Sequence, residues 1–128
     1  MRALLDTNAA LYAWIEPERL SAAARRVITA TENQLYFSQI SVLEITLKHR
    51  IGKLPLPDEP VDYIPARIQA FALTFLPLEN ADIFAITKMK NIHKDPFDWL
   101  LIGTAQRLKV PIISSDAAFK KYPIKVIW

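Results

Sequence analysis

Short apolar runs alternate with amphipathic, helix-like segments along the whole chain. The runs that indicate strands are residues 3–5, 35–37, 73–76, 111–114 and 124–127. The segments that indicate helices are residues 8–14, 21–31, 41–50, 61–72, 80–89 and 96–108. Strands that are apolar throughout are typical of a parallel sheet that helices cover on both faces. The sequence therefore predicts a single α/β domain over residues 1–128, with a central, mostly parallel sheet of four to five strands.

The amino-acid composition excludes several kinds of functional site. The chain has no cysteine, which excludes disulfides, thiolate zinc sites, iron–sulfur clusters and cysteine nucleophiles. Its two glycines, Gly52 and Gly103, lie so far apart that neither a dinucleotide-binding G-x-G-x-x-G motif nor a P-loop is present. Two histidines are too few for a multi-histidine metal site. Any catalytic chemistry therefore rests mainly on carboxylates, hydroxyls, amides and basic side chains.

Charge and hydropathy limit the kinds of partner that the protein could bind and the cellular compartment in which it is expected. Sixteen Lys and Arg residues against thirteen Asp and Glu residues give a formal net charge of +3, which permits binding to nucleic acid without requiring it. Asp6 interrupts the first apolar run, which argues against a signal peptide, and no uncharged apolar run is long enough for a membrane span. We therefore expect a cytoplasmic protein with no membrane partner.

Four of the thirteen acidic residues have strongly apolar surroundings or end a predicted element. Asp6 and Asp116 follow predicted strands. Glu44 lies near the start of the helix after a strand, and Asp98 lies in the first turn of the predicted helix over residues 96–108. The carboxyl ends of parallel strands meet at one edge of a sheet, which is where ligands bind in open α/β folds. We therefore expect all four acids to project into one crevice.

A divalent cation is the natural counter-charge for such a cluster. Two ionised carboxylates about 4 Å apart repel by roughly 4 kcal/mol at an effective dielectric constant near 20, so that without a cation they would raise their pKa values or move apart. A site made of oxygen ligands favours Mg²⁺ or Mn²⁺. Such an ion commonly engages substrate phosphates and activates a water molecule. The residues by themselves thus favour metal-dependent hydrolysis of phosphodiester bonds.

Each of these acids also has a purely structural interpretation, as part of a helix cap. The candidate caps are Asp6, Ser41 with Glu44 as a capping box, Asp95 with Asp98 in the turn behind it, and Asp116. The residues alone leave the structural and the functional interpretation open at each position.

Four segments of the chain together resemble the PIN-domain nucleases. They are residues 4–8 (L-L-D-T-N), 40–45 (I-S-V-L-E-I), 93–102 (H-K-D-P-F-D-W-L-L-I) and 114–116 (S-S-D). The third segment is the most specific, and the order and spacing of all four make the joint match strong. More narrowly, they resemble the VapC-type toxins of bacterial toxin–antitoxin pairs. The resemblance implies a PIN-like three-layer fold and a single PIN domain.

The resemblance also implies which residues form the site. Asp6, Glu44, Asp98 and Asp116 would be the catalytic acids and would hold Mg²⁺ or Mn²⁺. Asp6 and Asp98 would bind the metal directly, and the other two would bind it directly or through water. The polar residues expected to orient these acids are Thr7, Asn8, Ser41 and Ser114.

Three residues of the third segment carry separate expectations. Asp95 is expected first as a helix cap and second as an outer metal contact. His93 is expected to order its loop rather than to bind metal. Trp99 stands where many relatives with this motif carry an arginine.

The function implied is that of an endoribonuclease that cleaves single-stranded or loop regions of RNA. Family members of this kind are typically homodimers, and a cognate antitoxin protein silences them. The alternative is a non-catalytic RNA- or protein-binding module with a PIN-like fold, which would tolerate acid-to-amide changes. A phosphatase of the haloacid-dehalogenase type is disfavoured because Asn8 stands where its second aspartate, the general acid, is needed.

Overall fold

The computed structural model describes residues 1–128, which form five strands and six α-helices. The strands are β1 (Arg2–Leu5), β2 (Gln34–Ser38), β3 (Thr74–Leu76), β4 (Ile112–Ile113) and β5 (Val126–Ile127). The α-helices are α1 (Thr7–Ile15), α2 (Ala22–Thr29), α3 (Gln39–Arg50), α4 (Pro60–Ala70), α5 (Asn80–Phe84) and α6 (Pro96–Leu108). Short 3-10 turns follow α1, α5 and β4, at Pro17–Arg19, Ala85–Lys88 and Ala117–Lys121.

The five strands form one parallel sheet in the order β3-β2-β1-β4-β5. The predicted parallel α/β architecture is therefore confirmed. The chain first extends the sheet outward from β1 through β2 to β3, and then returns to the other side of β1 for β4 and β5. This reversal places a topological switch point between β1 and β4, which in open α/β folds is the position of the ligand crevice.

Side chains of β1 alternate between two hydrophobic clusters, one on each face of the sheet. Ala3 and Leu5 pack into a cluster that includes buried residues of α1, α2 and α4. Leu4, between them in sequence, packs into a second cluster that includes buried residues of α6. The strand is buried on both sides, which explains why its sequence is a continuous apolar run rather than an alternating one.

No helix has the length and apolar character required to cross a lipid bilayer.

Several boundaries differ from the predicted ones for local reasons. Helix α3 begins two residues earlier than predicted, because the hydroxyl of Ser38 accepts a hydrogen bond from the amide of Ile40 and so caps the helix. The predicted helix over residues 80–89 divides into α5 and a 3-10 turn, where the β-branched Ile86 and Thr87 lower helix propensity. Strand β4 begins after Pro111, which has no N–H to donate to the ladder.

Candidate active site

The carboxyl edge of the sheet brings the predicted acids together around β1 and β4. Asp6 directly follows β1 and Ser114 directly follows β4, and these two strands are neighbours in the sheet. Glu44 lies in the second turn of α3, and Asp98 lies in the first turn of α6. Asp116 precedes the 3-10 turn at Ala117–Lys121. The strand ends and helix starts therefore converge on the crevice that the topology creates.

Asp6 is buried at the carboxyl end of β1, with 4% of its surface exposed. The hydroxyl of Ser114 donates a 2.7 Å hydrogen bond to Asp6 Oδ2. Burial, with a smaller contribution from the charge of Glu44, outweighs the opposing Ser114 hydrogen bond and raises the pKa of Asp6 to about 6. Asp6 occupies the N-cap position of α1, as its structural interpretation predicts, but its side chain makes no capping hydrogen bond to the helix.

Glu44 is also buried, and its two carboxylate oxygens have different surroundings. Oε2 lies 2.7 Å from the ammonium nitrogen of Lys48, one turn further along α3. Oε1 is buried and has no hydrogen-bond partner. A buried, unsatisfied carboxylate oxygen is costly, and an incoming cation would supply what it lacks. The capping-box interpretation of Ser41 and Glu44 is wrong, because both residues lie inside α3 and Ser38 is the cap.

Asp98 and Asp116 are joined through the imidazole ring of His93. His93 Nε2 lies 2.6 Å from Asp98 Oδ2 and 3.6 Å from Asp116 Oδ2. The potential ligand atoms of these three residues all lie within 4.8 Å of one another. Burial and the charges of Asp6 and Asp95 together outweigh the opposing effect of His93 and raise the pKa of Asp98 to about 7. Asp116 also accepts a hydrogen bond from the amide of Ala118, so that it caps the following turn.

Four polar residues were predicted to orient the acids, and three of them make buried hydrogen bonds at this edge of the sheet. Ser114 links two of the acids, because its hydroxyl donates to Asp6 and accepts a 3.0 Å hydrogen bond from the amide of Asp116. The buried hydroxyls of Thr7 and Ser41 are 2.8 Å apart and join the start of α1 to α3. Asn8 is exposed and makes no hydrogen bond to any of the four acids.

The loop before α6 is held in place by two hydrogen bonds on the backbone of His93. Its amide donates to the hydroxyl of Tyr122, and its carbonyl accepts from the indole N–H of Trp99. Trp99 therefore fixes the position of the histidine that contacts two of the acids. Asp95 caps α6 by accepting a 2.9 Å hydrogen bond from the amide of Phe97, as its first interpretation predicts.

Sequence reasoning missed two contacts at this site. It assigned His93 to ordering the loop, whereas the ring also contacts Asp98 and Asp116 directly. It did not single out Lys48, although a basic residue four positions after Glu44 on a helix is a recognisable pairing signal.

The donor set fits a small divalent cation. Three buried acids, Asp6, Glu44 and Asp98, and the half-exposed Asp116 offer carboxylate oxygens, and one buried oxygen of Glu44 is unpartnered. Burial and, to a smaller extent, repulsion from neighbouring carboxylates raise the pKa values of Asp6 and Asp98, and a bound cation would oppose both effects. Oxygen donors with an imidazole nearby suit Mg²⁺ or Mn²⁺ rather than a thiophilic metal.

Comparison with known proteins identifies relatives in sequence and in structure. The sequence family described as PIN domain matches residues 3–125. Ribonuclease VapC16 from Mycobacterium tuberculosis (strain ATCC 25618 / H37Rv) is 31% identical over 67 residues, which are 49% of this chain and 48% of that protein. The match thus spans about half the length of this curated relative.

Solved structures with the same fold cover nearly the whole chain. VapBC2 from Rickettsia felis, bound to a DNA fragment from its promoter, aligns with a TM-score of 0.71 at 16% identity, over 98% of this chain and 97% of the other. VapBC-1 from nontypeable Haemophilus influenzae aligns with a TM-score of 0.69 at 18% identity, over 98% of this chain and 96% of the other. FitAcB from Neisseria gonorrhoeae aligns with a TM-score of 0.63 at 21% identity, over 97% of this chain and 95% of the other. With the family match over residues 3–125, these findings show that the chain belongs to the PIN-domain family.

Proposed function

We propose that this protein is a metal-dependent endoribonuclease that hydrolyses phosphodiester bonds in single-stranded or loop regions of RNA. The observation that carries the proposal is the burial of Asp6, Glu44 and Asp98 at one edge of the sheet, where the charge of Glu44 raises the pKa of Asp6 and the charge of Asp6 raises that of Asp98. One carboxylate oxygen of Glu44 is unpartnered there. Membership of the PIN-domain family and the similarity to a protein named as a ribonuclease support the same chemistry.

The cation would be Mg²⁺ or Mn²⁺, held by the four acids. Asp6 and Asp98 would be its direct ligands, and Glu44 and Asp116 would complete the site directly or through water. When bound, such an ion activates water as a nucleophile and stabilises negative charge on the phosphoryl oxygens.

The protein's own residues hold the acids in position for this chemistry. Ser114 orients Asp6 and, through the amide of Asp116, couples the two. The contact between Thr7 and Ser41 ties α1 to α3 and so sets the position of Glu44 relative to β1. Neighbours that orient metal ligands in this way are a general requirement of metal sites.

His93 supplies the other positioning contact. A separation of 2.6 Å between His93 Nε2 and Asp98 Oδ2 requires a proton on one of the two atoms. In the metal-free protein this shared proton holds the Asp98 carboxyl group against the ring. The indole of Trp99 fixes the loop from which the ring projects.

We propose further that the protein is the toxin of a toxin–antitoxin pair. The solved structures that share its fold include the VapBC and FitAB assemblies and a toxin–antitoxin complex from Klebsiella pneumoniae. Its partners would then be RNA as substrate, a cognate antitoxin protein and a second copy of the chain in a homodimer, in the cytoplasm. A small reading frame immediately upstream that encodes an antitoxin would support this role, and co-expression of its product should suppress cleavage.

The nuclease proposal is tested with purified protein and a structured RNA pool in Mg²⁺, in Mn²⁺ and in EDTA. The test variants are Asp6→Asn and Asp98→Asn, with folding checked by circular dichroism. Asp62→Asn is the matched control, because Asp62 is an exposed acid in the first turn of α4, as Asp98 is in α6. We expect the wild type and the control to cleave only with metal, and both test variants to be inactive. Cleavage that survives in the test variants would contradict the proposed site.

A further inference from the structure

Lys48 is the one lysine or arginine that forms an ion pair with any of the four acids. Its ammonium nitrogen lies 2.7 Å from Glu44 Oε2, and the salt bridges of Arg19 and Arg107 involve acids elsewhere. Asp95 and Asp98 also attract the ammonium group. Burial lowers the pKa of Lys48, but the hydrogen bond to Glu44 and the charges of Glu44, Asp95 and Asp98 outweigh it and raise that pKa above its usual value. Lys48, on α3, therefore lies near acids of both α3 and the start of α6.

The pair of Glu44 and Lys48 differs from an ordinary helix-surface ion pair. Exposed pairs four residues apart contribute only about 0.3–0.5 kcal/mol to stability, because water screens both partners. Here the Glu44 side chain is 6% exposed and the Lys48 side chain is 43% exposed. The carboxylate is inside the crevice, and the ammonium group lies at its solvent side.

The ammonium group of Lys48 has hydrogen-bonding capacity left over. It carries three N–H donors, and Glu44 is its one acceptor in the structure. Phosphate oxygens are among the strongest acceptors for a lysine, because the hydrogen bond is assisted by charge. The free donors of Lys48 thus suit an anionic ligand that enters the crevice from solvent.

The proposed metal ion would offset part of the acidic charge of the crevice, and a second positive group there would further favour binding of an RNA strand, because three of the four acids are buried together at this edge. The phosphates of the strand must come close to Asp6 and Asp98 for hydrolysis to occur there, and they would be repelled by both. The other lysines of the chain make no ion pair with these acids. Lys48 is therefore the side chain placed to add to the attraction of the metal ion for phosphates at the position where the strand is cleaved.

We propose that Lys48 is a substrate-contacting residue of this site, whose ammonium group lies against Glu44 in the free protein and binds a phosphate oxygen of the RNA strand in the complex. This inference rests on the proposed nuclease function and adds to it the group that binds the phosphate. It distinguishes Lys48 from the four acids, which bind the cation, and from His93 and Ser114, which orient them.

The test compares Lys48→Gln, Lys48→Arg and the wild type in cleavage of a labelled single-stranded RNA pool, at several salt concentrations. Lys53→Gln is the control, because Lys53 is an exposed lysine just after α3 with no acidic partner. Loss of one phosphate contact should reduce the slope of log(kcat/KM) against log salt by about 0.7. Lys48→Gln should also lower kcat/KM about tenfold to a hundredfold at low salt, the loss expected for a hydrogen bond to a charged group. Lys48→Arg should keep most of the rate, and Lys53→Gln should match the wild type.

Binding of Mn²⁺, measured by calorimetry, provides a readout independent of cleavage. The Lys48→Gln variant lacks the ammonium group that competes with the metal for Glu44. Its affinity for Mn²⁺ should therefore be the same as that of the wild type, or higher. Weaker Mn²⁺ binding, together with full recovery of cleavage at saturating Mn²⁺, would show that Lys48 acts only by orienting Glu44 and would overturn the proposal. An unchanged salt slope would overturn it as well.

The wild-type sample separates failure of this inference from failure of the proposed function. A wild type that cleaves RNA, beside a Lys48→Gln protein with the same rate and salt slope, removes only the role of Lys48. A wild type that cleaves no RNA removes the nuclease proposal, and the role of Lys48 falls with it.

Discussion

The hydroxyl of Ser114 donates a hydrogen bond of 2.7 Å to Asp6 Oδ2, across 108 positions of sequence. The two residues follow β4 and β1, and these strands are adjacent only because the chain returns to the far side of β1 after β3. The same hydroxyl accepts a hydrogen bond from the amide of Asp116. One serine thus joins two acids of the site at the topological switch point of the sheet.

We expect Ser114→Ala to impair cleavage more than stability. Asp6 would lose the hydrogen bond that orients it and that opposes the rise in its pKa. Cleavage should fall about tenfold or more, which is the usual effect of removing a neighbour of a metal ligand. The free energy of unfolding should fall by about 1–2 kcal/mol. Both quantities are measured side by side, by RNA cleavage and by urea unfolding.

Ser21→Ala is the control for this change, because Ser21 caps α2 far from the acids. It should cost about 1 kcal/mol of stability and leave cleavage unchanged. Equal losses of cleavage in the two variants would contradict the role given to Ser114.

The metal-free protein should lose stability as the pH rises through the pKa of Asp6. The pKa of Asp6 is about 6 in the folded state and near its ordinary 3.8 in the unfolded state. Below pH 3.8 both states are protonated at this residue and the fold is not penalised. Above pH 6 the folded state holds a buried charge, at a cost of about 3 kcal/mol for Asp6 alone.

The comparison of wild type with Asp6→Asn in EDTA isolates this effect from other titrating groups. The variant should be the more stable protein at pH 8, and the difference should shrink toward zero near pH 4. Addition of Mn²⁺ at pH 8 should raise the midpoint of thermal unfolding of the wild type and have little effect on the variant. A wild type that is more stable than Asp6→Asn at pH 8 in EDTA would contradict the electrostatic account.

Trp99→Phe should loosen the loop before α6. The change removes the indole N–H that donates to the carbonyl of His93, while it keeps an aromatic ring on α6. We expect faster amide exchange over residues 89–95, cleavage reduced several-fold, and a loss of about 1–2 kcal/mol in stability. Trp128→Phe is the control, because Trp128 lies beside Tyr12 and not at the site. Unchanged exchange in the loop would count against this role for Trp99.

Gly103→Ala should separate α5 from α6. A Cβ atom at this position would lie 2.9 Å from the backbone carbonyl oxygen of Asp82. A backbone atom cannot move aside as the end of a flexible side chain can. The expected cost is about 1–3 kcal/mol in urea unfolding, as for other overpacked positions. Gly52→Ala is an informative comparison, because Gly52 has open space around it and a φ of +77°. Its cost should come from backbone strain alone, about 1–2 kcal/mol.

Local sequence patterns predicted the elements and several of their ends. Ser21 caps α2 and Asp95 caps α6, as expected of residues whose partners are two or three positions away. Patterns were less reliable where long-range packing competes with them. Ser41 and Glu44 match a capping box, yet Ser38 caps the helix and the hydroxyl of Ser41 pairs with Thr7 of α1.

The sequence by itself determined the parallel α/β fold, because apolar strands and amphipathic helices follow from the spacing of side chains along the chain. It also placed Asp6, Asp98 and Asp116 at the ends of elements, since those positions are local. Only the tertiary structure decided that Ser114 binds Asp6, that His93 joins Asp98 to Asp116, and that one oxygen of Glu44 is buried without a partner. These contacts depend on strand order and on how α3 and α6 pack at the sheet edge, which no spacing in the sequence specifies.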